Sequence, residues 1–182
     1  MSPVHPHPDR RSPLVFEVHE LGRRAGAMKR IDATVPAPAE LVVGVIGVPE
    51  GSDIELELTL QSVTEGVLVT GMATAQLRGQ CSRCLTGIEG TDSFDIQELY
   101  FYPGNEVDEE ESVVEDDTID LEEALRDAVV LELPFTPLCE DDCLGLCPDC
   151  GFNRNLDPTH THGDRIDPRW SKLTGLTGDT PN

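Results

Sequence analysis

All six cysteines of the chain fall into two groups, Cys81-Ser-Arg-Cys84 and Cys139-x3-Cys143-x3-Cys147-Pro-Asp-Cys150-Gly151. In a Cys-x2-Cys turn both thiolates face one ion, and Gly151 permits the backbone turn that lets amides approach the sulfurs. One such pair would be a weak metal signal. Two pairs, the second ending in the Cys-Pro-x-Cys-Gly turn characteristic of zinc knuckles, make a strong one. A shared ion would also tie distant parts of the chain together, because 54 residues lie between Cys84 and Cys139.

The opening Met1-Ser-Pro-Val-His-Pro-His-Pro8 has no apolar run and no cleavage pattern of a signal peptide. No stretch approaches the roughly 18 apolar residues that cross a bilayer. These features predict a cytoplasmic chain with no membrane partner, in which thiols stay reduced. Metal then accounts for the cysteines better than disulfides do.

A zinc ion takes four nitrogen or sulfur ligands in a tetrahedron. The chain offers eight: Cys81, Cys84, Cys139, Cys143, Cys147, Cys150, His160 and His162. One partition joins Cys81, Cys84, Cys139 and Cys143 at a first ion and Cys147, Cys150, His160 and His162 at a second. Another is a single ribbon of Cys81, Cys84, Cys147 and Cys150. A third is the compact set Cys139, Cys143, Cys147 and Cys150. Spacing leaves all three open, so the cofactor is zinc, one or two ions, with an iron–sulfur cluster or no metal as the remaining readings. His160-Thr-His162 reads equally as a solvated polar loop, and His5 and His7 sit in a tail too loose to hold a metal.

Residues 1–13, rich in Pro and His, read as a disordered tail. Residues 14–134 read as an antiparallel sheet with one helix, carrying an acidic loop at 105–118, and residues 135–182 as a zinc-binding C-terminal segment. Within the sheet, 14–22 reads as a short strand and the apolar run Leu41–Val48 as another. Ile54, Leu56, Leu58 and Leu60 alternate with polar residues, the period of a half-buried strand. Glu65-Gly66 turns the chain, Val67–Leu77 returns, and Thr91–Tyr102 follows, which puts the first knuckle at the tip of a hairpin. Leu121, Ala124, Leu125, Ala128 and Leu131 mark one face of a helix, with Asp120 and Glu123 placed as a capping box and Pro134 as its stop. Asp167-Pro168 opens a short final helix that Trp170 anchors. The fold class is α+β: a mainly antiparallel β meander covered by one helix, with a cysteine-rich C-terminal segment.

The net charge of −22 disfavours sequence-independent clamping of nucleic acid by the whole protein. Charge is unevenly placed, however. Arg10, Arg11, Arg23, Arg24, Lys29 and Arg30 gather six of the 13 basic residues, a place for local RNA contact. Glu106 to Glu123 holds 11 acidic residues and no basic one, either a solvated loop or a patch for a basic partner such as a ribosomal protein.

Four protein ligands leave no open position for water or substrate, the mark of a structural ion. Neither Cys-x2-Cys pair precedes a helical pattern, where a helix dipole would activate a thiol for exchange. No His-Glu-x-x-His helix, phosphate-binding glycine loop or Gly-x-Ser-x-Gly elbow is present. The chain reads as a non-enzyme.

Cys81-Ser-Arg-Cys84, the helix running into Leu133-Pro-Phe-Thr-Pro-Leu-Cys139, Gly145-Leu-Cys-Pro-Asp-Cys-Gly151 and Ile166-Asp-Pro-Arg169 together resemble the YceD family over about residues 14 to 172. The resemblance implies a cytoplasmic ribosome-biogenesis factor acting in synthesis, processing or stability of large-subunit (23S) ribosomal RNA, with a ribosomal protein or pre-ribosomal particle as partner. Many members carry Cys-x-Cys where this chain has His160-Thr-His162. Exchanging Cys for His preserves zinc chemistry, so the resemblance favours the two-ion partition. The other reading is a zinc-stabilised adaptor outside ribosome assembly.

Overall fold

The computed structural model describes residues 12–104 and 111–162. Its centre is an antiparallel sheet built on one long hairpin. Strand β5 (Asp53–Ser62) buries Ile54, Leu56, Leu58 and Leu60 as the alternation predicts, and pairs with β6 (Gly66–Gln80) from Ile54↔Ala75 to Ser62↔Val67. Strand β6 runs on for 15 residues and pairs along its whole length with β7 (Gly87–Phe101), so β6 outruns Val67–Leu77 at both ends, while β7 begins before Thr91 and ends one residue short of Tyr102. Midway along β6, Gly71 sits on the inward side with φ +154°. A Cβ there would lie 2.1 Å from the Glu57 carbonyl oxygen, so the close approach of β5 requires a residue without a side chain.

Three further features differ from expectation. Met28–Pro36 forms strand β2, paired with β5 from Met28↔Gln61 to Pro36↔Asp53. Its better-covered positions are Lys29, Ile31, Ala33 and Val35, a face with one cation and one small residue that gives little alternation signal. The run Leu41–Val48 is not one strand. It folds into a tight hairpin of β3 (Val42–Val43) and β4 (Ile46–Gly47), turning at Gly44 with φ +57°, and β4 pairs with Arg78 and Gly79 beside the far end of β6. Third, the stretch 14–22 keeps only β1 (Val15–Glu17) as strand and continues as a 3₁₀ turn, His19–Leu21.

The described part of the acidic segment, from Glu111 on, is folded against the sheet. Val114 is buried, and the Val114 N–H donates to the Phe101 carbonyl at 2.8 Å. Thr118, expected to end the loop, opens strand β8 (Thr118–Asp120), which pairs with β1. The Tyr100 hydroxyl donates to the Asp120 carbonyl at 2.8 Å and fastens this two-stranded ribbon to β7. Burial pushes the Tyr100 hydroxyl well above its ordinary pKa.

Helix α1 (Glu122–Glu132) packs against β7. Asp120 Oδ1 accepts the Glu122 N–H at 3.0 Å, a one-sided cap rather than the reciprocal box with Glu123. The helix buries Leu121, Leu125, Val129 and the flanking Leu133, whereas Leu131 is 81% exposed. The i, i+4 row wins over the expected face because Leu133, held by its N–H to the Val129 carbonyl, closes the core instead. Among the described residues, no helix is long and apolar enough to cross a membrane. The tail before Ser12, residues 105–110, and the Asp167–Trp170 segment lie outside the described residues.

Candidate metal centres

The two long strands β6 and β7 carry the first knuckle at their tip. The turn is closed by two hydrogen bonds: the Leu85 N–H donates to the Cys81 carbonyl at 2.9 Å and the Cys81 N–H to the Thr86 carbonyl at 2.8 Å. The second knuckle repeats this scheme on unrelated flanks. There the Gly151 N–H donates to the Cys147 carbonyl at 2.8 Å and the Cys147 N–H to the Phe152 carbonyl at 2.8 Å. Gly151 has φ +75°, as the glycine reading requires, and Leu85 has φ +58° at the matching place.

Chain segment 137–143 closes over the first knuckle. The Ser82 N–H donates to the Pro137 carbonyl at 2.8 Å, and Arg83 Nη1 donates to the Cys143 carbonyl at 3.0 Å. These contacts bring Cys139 and Cys143 to Cys81 and Cys84. The Cys81 and Cys143 sulfurs are 3.7 Å apart, and those of Cys84 and Cys139 are 3.5 Å apart. Four thiolates at about 2.3 Å from a tetrahedral zinc would stand about 3.8 Å from one another. The spacing therefore suits one ion, and Cys81, Cys84 and Cys143 are buried with Cys139 half-buried.

The second group is Cys147, Cys150, His160 and His162, whose donor atoms lie within 4.8 Å of one another. Cys150 Sγ is 3.3 Å from His160 Nε2 and 3.1 Å from His162 Nε2, and the two imidazole nitrogens are 3.0 Å apart. The His160 ring stacks on Phe152 with centroids 4.5 Å apart, which fixes its plane. Asp157 shapes the turn into the histidines by accepting the Thr159 N–H at 2.9 Å and its hydroxyl at 2.7 Å. Those bonds hold the Asp157 carboxyl below its ordinary pKa. This group is more exposed than the first, with Cys150 and His162 at the surface. All eight predicted residues thus assemble, in the two-group partition. Neither the single ribbon nor the compact Cys139–Cys150 set is what the geometry brings together.

The electrostatics favour ligand chemistry at the first group. Burial raises the Cys81 thiol, but the backbone amides of Cys84, Cys139 and Arg83 outweigh it and bring it down to about 6. The Thr86 hydroxyl, 3.2 Å from the Cys84 sulfur, is the main cause lowering that thiol. Cys139, beside the Cys84 sulfur, is pushed up to about 12. The hydrogen bond to the Cys84 sulfur, and then burial, hold the proton on Cys139. Thr86, Arg83 and Phe152 escape sequence reasoning because nothing in their types marks them as supports for a ligand. Asn153 and Asn155, directly after the second knuckle, are the ones a reader could have suspected from position.

Among the described residues of the N-terminal basic set, Lys29 and Arg23 are engaged within the fold. Lys29 pairs with Glu20 at 3.1 Å and donates to the Glu17 carbonyl at 3.2 Å, and the Arg23 guanidinium lies 4.9 Å above the Tyr102 ring. Arg24 and Arg30 are exposed, while Arg10 and Arg11 lie outside the described residues.

Comparison with known proteins follows the same ground. Residues 69–177, a span containing both donor groups, match the family described as "Large ribosomal RNA subunit accumulation protein YceD". An uncharacterized protein of Mycobacterium tuberculosis is 45% identical over 172 residues, 92% of this chain and 83% of the relative. One of Mycobacterium leprae is 44% identical over 176 residues, 93% of this chain and 81% of the relative. The uncharacterized YlbN of Bacillus subtilis is 27% identical over 99 residues, 53% of this chain and 58% of its own. No solved structure matches. The family match over more than half of the chain, together with near-full-length relatives, shows that the chain belongs to the YceD family.

Proposed function

We propose that the protein is a non-enzymatic, zinc-stabilised factor of ribosome biogenesis in the cytoplasm, supporting synthesis, processing or stability of large-subunit (23S) ribosomal RNA. The family match across residues 69–177 carries this reading. The donor sets support the structural part: Cys81, Cys84, Cys139 and Cys143 would hold one zinc, and Cys147, Cys150, His160 and His162 a second. Each ion would have four protein ligands and no position left for substrate. A −22 chain with Lys29 and Arg23 engaged internally favours a basic ribosomal protein over naked RNA as the partner. Local RNA contact through Arg24 and Arg30 is the secondary route.

Depleting the protein and profiling ribosomal subunits on a sucrose gradient tests this. The expected result is a deficit of mature large subunits with precursor particles accumulating. An unchanged profile in depleted cells would move the protein to the alternative, an adaptor outside ribosome assembly.

A further inference from the structure

The two donor groups are joined by more than chain connectivity. Backbone first: the Leu146 N–H donates to the Arg83 carbonyl at 3.1 Å, and the Arg154 N–H to the Gly145 carbonyl at 2.9 Å. A small ladder thus runs from the first knuckle, through residues 145–146, to residues 153–154 of the loop that Cys150 and His160 bound. Two asparagines of that loop then reach back into the first group. Asn155 spends its oxygen locally, accepting the Leu144 N–H at 2.7 Å, while its Nδ2 donates to the Cys143 sulfur at 3.2 Å. Asn153 does the same one step further out. Its oxygen accepts the Asn155 N–H at 3.0 Å and its Nδ2 donates to Thr86 Oγ1 at 3.4 Å, the hydroxyl beside the Cys84 sulfur.

We infer that Asn153 and Asn155 are positioning residues through which the second metal centre holds the first, so that the two ions bind with positive coupling. An amide N–H aimed at a thiolate disperses its charge and strengthens its fit to the ion, and loss of such a partner typically lowers metal affinity about 10- to 100-fold. Those amides are in place only while the 151–160 loop is closed. Apolar anchoring of the loop is slight, with Phe152 half-buried and Leu156 77% exposed, and beyond the hydrogen bonds of Arg154 to Gly145 and of Thr159 to Asp157 the four donors are what draw its far end in. Closure by Cys147, Cys150, His160 and His162 therefore organises the donors to Cys143 and Thr86. Linkage makes the effect mutual, so an ion at the buried group also tightens the exposed one. The inference rests on the proposal that both groups bind zinc.

The test uses the full chain loaded with Co²⁺, whose absorption separates a four-thiolate site from one with two thiolates and two imidazoles, challenged with excess EDTA. Cys150→Ser/His162→Ala empties the second centre without touching a ligand of the first. Asn155→Asp keeps the acceptor for the Leu144 N–H but sets an anionic oxygen in place of the donor to Cys143, so Asn155→Ala, which removes the donor and adds no charge, is measured beside it and should behave alike. Both variants should lose cobalt from the four-thiolate site about 10- to 100-fold faster than the wild type. Their combination should be no faster than the emptied-centre variant alone, since one route is lost in both. Asn155→Asp should also move the four-thiolate charge-transfer band to lower energy and leave the other site's bands in place. Release within twofold of wild type in both variants, effects that multiply in the combination, or an unmoved band would overturn the coupling. A wild-type chain that binds fewer than two ions would instead overturn the two-centre reading beneath it.

Discussion

Leu85 and Gly151 occupy the same position in the two knuckles. Each follows the second cysteine of its turn, each donates its N–H to the carbonyl of the first, and each has a positive φ, +58° and +75°. Glycine adopts that conformation freely, whereas a leucine there is strained by about 1–2 kcal/mol. Leu85 is 59% exposed, so little packing offsets the strain. Leu85→Gly should therefore stabilise the chain by about 0.5–1 kcal/mol, the relief being reduced by glycine's freedom in the unfolded state. Chemical denaturation of the metal-loaded protein measures it. A loss of stability would mean that Leu85 makes a contact outweighing its backbone strain.

The sheet supplies a second test. At Gly71, a Cβ would sit 2.1 Å from the Glu57 carbonyl oxygen and 2.8 Å from Leu58 Cα, both backbone atoms that cannot swing away. Gly71→Ala should cost about 1–3 kcal/mol through displacement of β5. A midpoint within error of the wild type in the same denaturation would refute the close approach.

Tyr100 links β7 to the β1–β8 ribbon through its bond to the Asp120 carbonyl. Tyr100→Phe keeps the ring in the core and leaves that carbonyl without its side-chain donor, at an expected cost of about 1 kcal/mol. Faster hydrogen exchange should accompany it in β8 and the first turn of α1 and not in β5.

How much of this was legible in the residues depends on whether a signal was local. Ile54 to Leu60 and the knuckle at the β6–β7 tip follow from alternation and turn chemistry alone. Strand β2 does not, because Lys29 and Ala33 share its better-covered side. The hairpin at Gly44 is hidden within an unbroken apolar run, and the burial of Leu133 in place of Leu131 depends on what lies beneath the end of α1. The ligand partition is the plainest case. Spacing places cysteines in pairs, but which pair meets which is decided by Ser82 and Arg83 gripping Pro137 and Cys143, contacts across more than 50 residues of sequence.

Protonation of the metal-free chain should reveal the first group's electrostatics. The Cys81 thiol falls from 9.0 to about 6 on folding, so its contribution to stability is complete above pH 9 and is lost as pH falls toward 6. Cys139, raised from 9.0 to about 12, stays protonated in the fold, so its contribution is present below pH 9 and lost as pH rises toward 12. Thermal unfolding of the metal-free wild type and Cys81→Ser should show a gap that is widest near pH 9 and narrows toward pH 6. A gap that widens as pH falls would reverse the assigned sign.

Two separate four-ligand centres should each hold an ion, and zinc per native chain measures this. Mass spectrometry under native conditions should find two zinc ions in the wild type, one in Cys81→Ser and one in Cys150→Ser, because those cysteines belong to different groups. The two variants should differ in stability, since Cys81 is buried and ties the β6–β7 tip to residues 139–143, whereas Cys150 closes an exposed local turn. A single zinc in the wild type, abolished equally by Cys81→Ser and by Cys150→Ser, would rule out two centres and establish one shared ribbon.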